Sequence, residues 1–113
     1  MSSYKKYVLM RAQDRHIILN TIRRYFPEVE VLIYGSRVTG EAHPASDADL
    51  MLHHPKGEKL PYTRLLALRN ALMDARTPVS VDLHDGQRLP ESMRKSIEAE
   101  AISLEGATLY HPS

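Results

Sequence analysis

Tyr34-Gly35-Ser36-Arg37, running through Gly40 to Ser46-Asp47-Ala48-Asp49-Leu50, is the stretch on which the reading of this chain turns. Ahead of it, Val29 to Tyr34 is an apolar, β-branched run that reads as a strand, and Gly35 ends it. A glycine there lets the backbone bend sharply and lets a ligand approach the main chain. Successive N–H groups in such a bend form a concavity suited to an anion. If a short helix begins at Ser36, its first turn adds partial positive charge, and the Ser36 hydroxyl can donate to a phosphate oxygen. Asp47 and Asp49 open a second strand, Ala48 to His53, and their spacing of two puts both carboxylates on one face. Two such groups side by side are unfavourable when both are ionised unless a cation sits between them. Mg²⁺ is the hard ion that prefers carboxylate and phosphate oxygens. Ala48, Leu50 and Leu52 then turn to the core.

Working outward, Val79 to His84 repeats the alternation. Val79, Val81 and Leu83 share one face and Asp82 lies on the other with Ser80 and His84. If this strand pairs beside the second one, Asp82 meets Asp47 and Asp49, and three carboxylates can hold two metal ions for an in-line nucleotidyl or phosphoryl transfer. Asp85, beside Gly86, reads as a turn residue instead. Arg11 to Phe26 reads as a helix, with Ile18, Ile22 and Phe26 at a spacing of four and Pro27 as its stop. Gly40 and Pro44 mark a turn region, and Pro55, Gly57 and Pro61 a loop. A second helix is expected from Tyr62 to Arg76 with Leu65, Leu68 and Leu72 on its buried face. A last one starts near Pro90, carries Met93 and Ile97 inward and ends near Gly106. Thr108 to Tyr110 adds a short edge strand. The order helix, strand, strand, helix, strand, helix predicts an α+β (α/β) domain with a small mixed sheet packed on helices.

Composition narrows the classes. The chain has 113 residues, one domain's worth, read as a single domain over residues 1–113. It contains no cysteine, which excludes disulfides, thiolate metal sites and cysteine nucleophiles. No apolar run approaches the ~20 residues of a membrane span, and the start lacks a signal peptide's apolar stretch, so a cytoplasmic protein is expected. Net charge is +1 and there are six tyrosines and one phenylalanine, a balance that argues against a nucleic-acid binder. Arg11, Arg15, Arg23 and Arg24, and separately Arg88, Arg94 and Lys95, read as solvated helix faces, with docking of an acidic partner as the sharper reading. His53 and His54 point to opposite faces of a strand and cannot share a zinc ion. No nucleophile-elbow pattern surrounds Ser36.

Gly35-Ser36, ten further residues, Asp47-x-Asp49 and the distant strand acid Asp82 together resemble the polymerase-β-like nucleotidyltransferase superfamily, and more narrowly its minimal nucleotidyltransferases. The resemblance covers nearly the whole chain, from Phe26-Pro27-Glu28-Val29 through Thr77-Pro78-Val79-Ser80-Val81-Asp82-Leu83 to Glu105-Gly106-Ala107-Thr108-Leu109-Tyr110. It implies that superfamily's fold, ATP as donor, Mg²⁺ (two ions) as cofactor, catalytic and metal-binding roles for Asp47, Asp49 and Asp82, and phosphate contacts at Gly35, Ser36 and Arg37. It also implies a partner. Such proteins are commonly encoded beside an all-helical HEPN-type protein, which the nucleotidyltransferase, acting as antitoxin, adenylylates on tyrosine. The departures are Val38 where alanine is frequent and Ala48 where leucine is frequent; neither removes chemistry. The competing reading is a fold retained only to dock a helical partner, without catalysis.

Overall fold

The computed structural model describes residues 7–40 and 47–111. Helix α1 (Ala12–Tyr25) buries Ile18 and Ile22, and Phe26 closes it as the C-terminal cap. β2 (Glu30–Tyr34) follows, then a one-turn helix α2 (Ser36–Thr39), β3 (Ala48–His53), α3 (Tyr62–Met73), β4 (Val81–Asp85), a 3₁₀ turn over Gly86–Arg88, α4 (Glu91–Glu100), β5 (Ile102–Ser103) and β6 (Thr108–Tyr110). The central sheet has the order β4-β3-β2-β5. β3 runs antiparallel to β2 and parallel to β4, so the sheet is mixed. The parallel step is made by α3, a crossover helix whose Leu65, Leu68 and Leu72 are buried.

The core explains why β3 sits in the middle. Ala48, Leu50, Met51 and Leu52 are each 0 % exposed, so this strand is apolar on both faces except at its start, where Asp49 interrupts it. Truncating Leu50 or Leu52 to alanine would cost about 2–5 kcal/mol. Among the described residues no helix is long and apolar enough to cross a membrane.

Several elements differ from the sequence reading. A strand β1 (Tyr7–Leu9), for which the pattern gives no signal of its own, pairs in parallel with β6 as a separate two-stranded sheet. α3 stops at Met73 rather than Arg76, and β4 is assigned from Val81 rather than Val79, although pairing already begins where the Ala48 N–H donates to the Ser80 carbonyl at 2.8 Å. α4 ends at Glu100 rather than near Gly106, because Ala101 turns extended (φ −69, ψ 152) and Ile102 joins the edge of β2 beside Ile33. Of the two residues expected inward on α4, Ile97 is buried but Met93 is 49 % exposed. The helix packs through its second half and its first turn overhangs solvent. Gly40 ends α2 in the left-handed region (φ +87); Pro44, the other mark of that expected turn region, lies outside the described residues.

The arginines read as solvated helix faces are largely engaged. Arg15 donates to the Ala107 carbonyl at 2.8 Å, and Arg23 pairs with Glu105 at 2.9 Å. Both pin the C-terminal segment to α1.

Candidate functional site

Asp49 and Asp82 are register partners on the adjacent parallel strands β3 and β4, and Tyr34 is the register partner of Asp49 on the other side, on β2. Directly paired residues project to the same face of a sheet, so the ends of three strands bring a phenol and two carboxylates together. Asp47 stands exposed just ahead of β3. Asp82 projects into solvent with His84, whose Nε2 lies 3.2 Å from its Oδ2. The face assignment of Asp82 beside His84 is therefore the observed one.

The bend at Gly35 closes the other wall. Gly35 has φ +76, a left-handed conformation that glycine adopts without strain. Its carbonyl accepts the N–H groups of Val38 at 3.0 Å and Thr39 at 3.1 Å, which fold Ser36–Thr39 into α2. The expected short helix at Ser36 is present. The Gly35 N–H donates to the Glu100 Oε1 at 3.0 Å.

Electrostatics tie these groups together. Asp49 is held above the ordinary aspartate range, first by burial and then by the charges of Asp82 and Asp47, with Glu100 adding to them. Burial, followed by the charges of Asp49, Asp82 and Glu100, pushes the Tyr34 phenol up to about 12. The site is thus an anionic basin, in which both the phenol and the half-buried carboxylate are driven toward their neutral forms. A hard cation would relieve that repulsion, and the donors are all oxygen, the set that Mg²⁺ prefers. Among the described residues, no three acidic or histidine side chains already form a cage that could hold a metal ion. What fits the ion is the chemistry of the donors and their mutual repulsion.

Arg37, expected to contact phosphate, lies behind the bend. It is 2 % exposed, and its NH1 donates to the Leu9 carbonyl at 2.6 Å. Burial lowers its pKa, against the opposing charges of Asp14 and Asp47. A guanidinium so enclosed braces α2 against β1 through that carbonyl. Asp85, expected as a turn residue, is instead the last residue of β4 and caps the 3₁₀ turn that follows: 2 % exposed, it accepts the Leu60 N–H at 2.8 Å and the Gln87 N–H at 3.0 Å. Sequence reasoning missed Tyr34 and Glu100. Tyr34 carries a readable signal, since it alternates with Ile33 at the end of an apolar strand. Glu100 carries none, because its position depends on the two-residue strand β5.

Comparison with known proteins adds to this geometry. A family model described as a nucleotidyltransferase domain matches residues 16–106. No curated protein matches. Among solved structures, a toxin–antitoxin bound to AMP-PNP is similar at a TM-score of 0.64 and 20% identity, over 80% of this chain and 71% of that one. A structure described as a candidate minimal nucleotidyltransferase is similar at a TM-score of 0.59 and 27% identity, over 80% and 88%. A complex of a tri-AMPylated HEPN toxin with an MNT antitoxin from Shewanella oneidensis is similar at 0.58 and 16% identity, over 84% and 71%.

Proposed function

Because this chain belongs to the nucleotidyltransferase-domain family, we propose that it transfers AMP from ATP to a tyrosine hydroxyl of a helical HEPN-type partner, acting in the cytoplasm as the antitoxin of a toxin–antitoxin pair. The observation that carries this reading is the register pairing of Asp49 with Asp82 across β3 and β4, with the Gly35 bend packed against Asp49. Solved toxin–antitoxin relatives, one with AMP-PNP and one with a tri-AMPylated HEPN toxin, support the choice of donor and partner.

In this reading Asp47, Asp49 and Asp82 hold Mg²⁺. The ion would neutralise triphosphate charge and acidify the attacking hydroxyl. The Gly35-Ser36 bend would offer its amides and the serine hydroxyl to phosphate oxygens, and Asp82, exposed at the rim, would take the acceptor's proton. The acceptor oxygen bonds to the α-phosphorus, the α–β phosphoanhydride bond breaks, and pyrophosphate leaves. Catalysis here is positioning plus charge neutralisation. Arg37 braces α2 against β1 and touches no substrate in this reading.

The test is direct. Purified protein, Mg²⁺-ATP and the helical protein encoded next to it are expected to yield a partner heavier by AMP, and Asp49→Asn or Asp82→Asn to yield none while remaining folded. A partner unmodified by the wild type under those conditions refutes the reading. The competing view, a fold kept only for docking, predicts no heat when Mg²⁺-ATP is titrated in.

A further inference from the structure

Glu100 ends α4, and two residues later Ile102 lies against Ile33 on the outer edge of β2. That path carries the Glu100 side chain to the end of β2, where Oε1 accepts the Gly35 N–H at 3.0 Å. This amide belongs to the bend read above as the phosphate grip. A half-buried main-chain N–H needs an acceptor, and an ionised one makes the stronger bond. The carboxylate therefore stabilises the bend in its glycine conformation. It also puts a negative charge where a phosphate oxygen would seek its donor.

The charge of Glu100 reaches further than this one bond. It is among the groups that hold Tyr34 and Asp49 toward their neutral forms, so it faces the same basin as the carboxylates. A polyanion entering that basin meets Glu100 as a like charge at close range. A neutral oxygen at the same place would satisfy Gly35 without that repulsion.

We propose that Glu100 is a displaceable latch on the Gly35 amide, holding the bend closed to anions until a triphosphate displaces the carboxylate. The proposal rests on reading Gly35-Ser36 as the phosphate grip. The latch makes binding selective for ligands with enough charge and metal to outcompete a carboxylate, and it disfavours inorganic phosphate and monophosphates. Because Glu100 is the last residue of α4, its release involves a side chain and a helix end rather than the sheet.

The experiment titrates inorganic tripolyphosphate, and separately Mg²⁺-ATP, into the wild type, Glu100→Gln, Glu100→Ala and Glu98→Gln. Glutamine removes the charge and keeps an oxygen for Gly35. Glu98 is exposed on the same helix, so its variant controls for the loss of one charge. Removing a like charge near a partly exposed anion site should tighten tripolyphosphate binding roughly three- to tenfold in both Glu100 variants and leave Glu98→Gln unchanged. The KM for ATP should fall in the same proportion. Should Glu100→Ala fail to fold, Glu100→Gln decides. Equal affinity in the wild type and Glu100→Gln overturns the latch alone, and weaker binding overturns it by making Glu100 part of the holding set. If none of the four proteins binds either ligand, the phosphate-grip reading falls and the latch with it.

Discussion

The Asp49 carboxylate fills the space that a side chain on Gly35 would need. A Cβ added to Gly35 would press into the Asp49 Oδ2 and lie 3.3 Å from its Cγ, and the backbone there already has φ +76. The glycine is thus required twice, once by conformation and once by the acid on the neighbouring strand. The bend and the carboxylate are packed as one unit, so a change at either displaces the other.

Gly35→Ala is accordingly expected to damage chemistry more than folding. A residue bearing a Cβ at this φ and ψ (+76, −154) costs about 1–3 kcal/mol, a loss that thermal melting would read as several degrees. The end of the Asp49 side chain can swing aside, so the fold survives, but the carboxylate leaves its place beside Asp82. Misplacement of about 1 Å can cost a hundredfold in rate, and AMP transfer should fall at least that far. A Gly35→Ala protein that melts lower yet transfers AMP at the wild-type rate would show that this packing does not position the acid.

Asp49→Asn should stabilise the metal-free protein while ending its activity. The Asp49 carboxyl is held above its ordinary pKa, first by burial and then by Asp82 and Asp47. The native state therefore binds that proton more tightly than the unfolded chain does, and stability falls as pH rises through the raised value. At pH 7 the ionised carboxylate is a net cost, which the neutral amide removes. The variant should melt above the wild type at neutral pH without Mg²⁺, with the gap closing on acidification. Adding Mg²⁺ should raise the melting temperature of the wild type alone. A variant that melts below the wild type at pH 7 in chelator would contradict this.

Much of this arrangement is legible in the residues. The alternation that sets Asp49 and Asp82 each on one face of its strand is a local property, whereas Asp47, expected on the same strand as Asp49, stands ahead of β3. The pairing of β3 beside β4 then brings Asp49 opposite Asp82. What the pattern could not yield depends on contacts between distant segments. β5 is two residues long and exists because the edge of β2 offers unpaired main chain. β1 is three residues whose partner lies at the other end of the chain. Glu100 takes its place from β5, and Arg37 bonds to β1, contacts that no local pattern encodes.

Arg37→Met tests that revised role. The guanidinium donates to the Leu9 carbonyl from a nearly fully buried position. Methionine fills part of the volume but leaves that carbonyl without this donor, at a cost of about 2–4 kcal/mol. Urea titration should show a lower midpoint. At a temperature where the variant is folded, its KM for ATP should stay within about twofold of the wild type, since a residue that contacts no substrate leaves substrate binding intact. A stable variant with KM raised tenfold or more would return Arg37 to the phosphates.

The last prediction concerns Asp14, buried on α1. Burial alone would raise its pKa, yet hydrogen bonds from Arg11 Nε at 2.9 Å and Thr77 Oγ1 at 2.9 Å, with the Arg11 charge, bring it below the ordinary aspartate value. Here the unfolded chain binds the proton more tightly. The contribution to stability is therefore full above the ordinary value and is lost as pH falls through the lowered one. Because Thr77 precedes β4, this carboxylate ties α1 to the strand that carries Asp82. Asp14→Asn should cost about 1–3 kcal/mol at neutral pH, with the difference from the wild type shrinking as pH falls below the ordinary aspartate range. Thr77→Val removes one of the bonds that keep the pKa low, so its acid unfolding should begin at higher pH than that of the wild type. Urea midpoints measured from about pH 3 to 7 would read both effects. A wild-type advantage over Asp14→Asn that persists undiminished to the acid end would mean that the neutral side chain's packing, rather than its ionised bonds, holds α1 to β4.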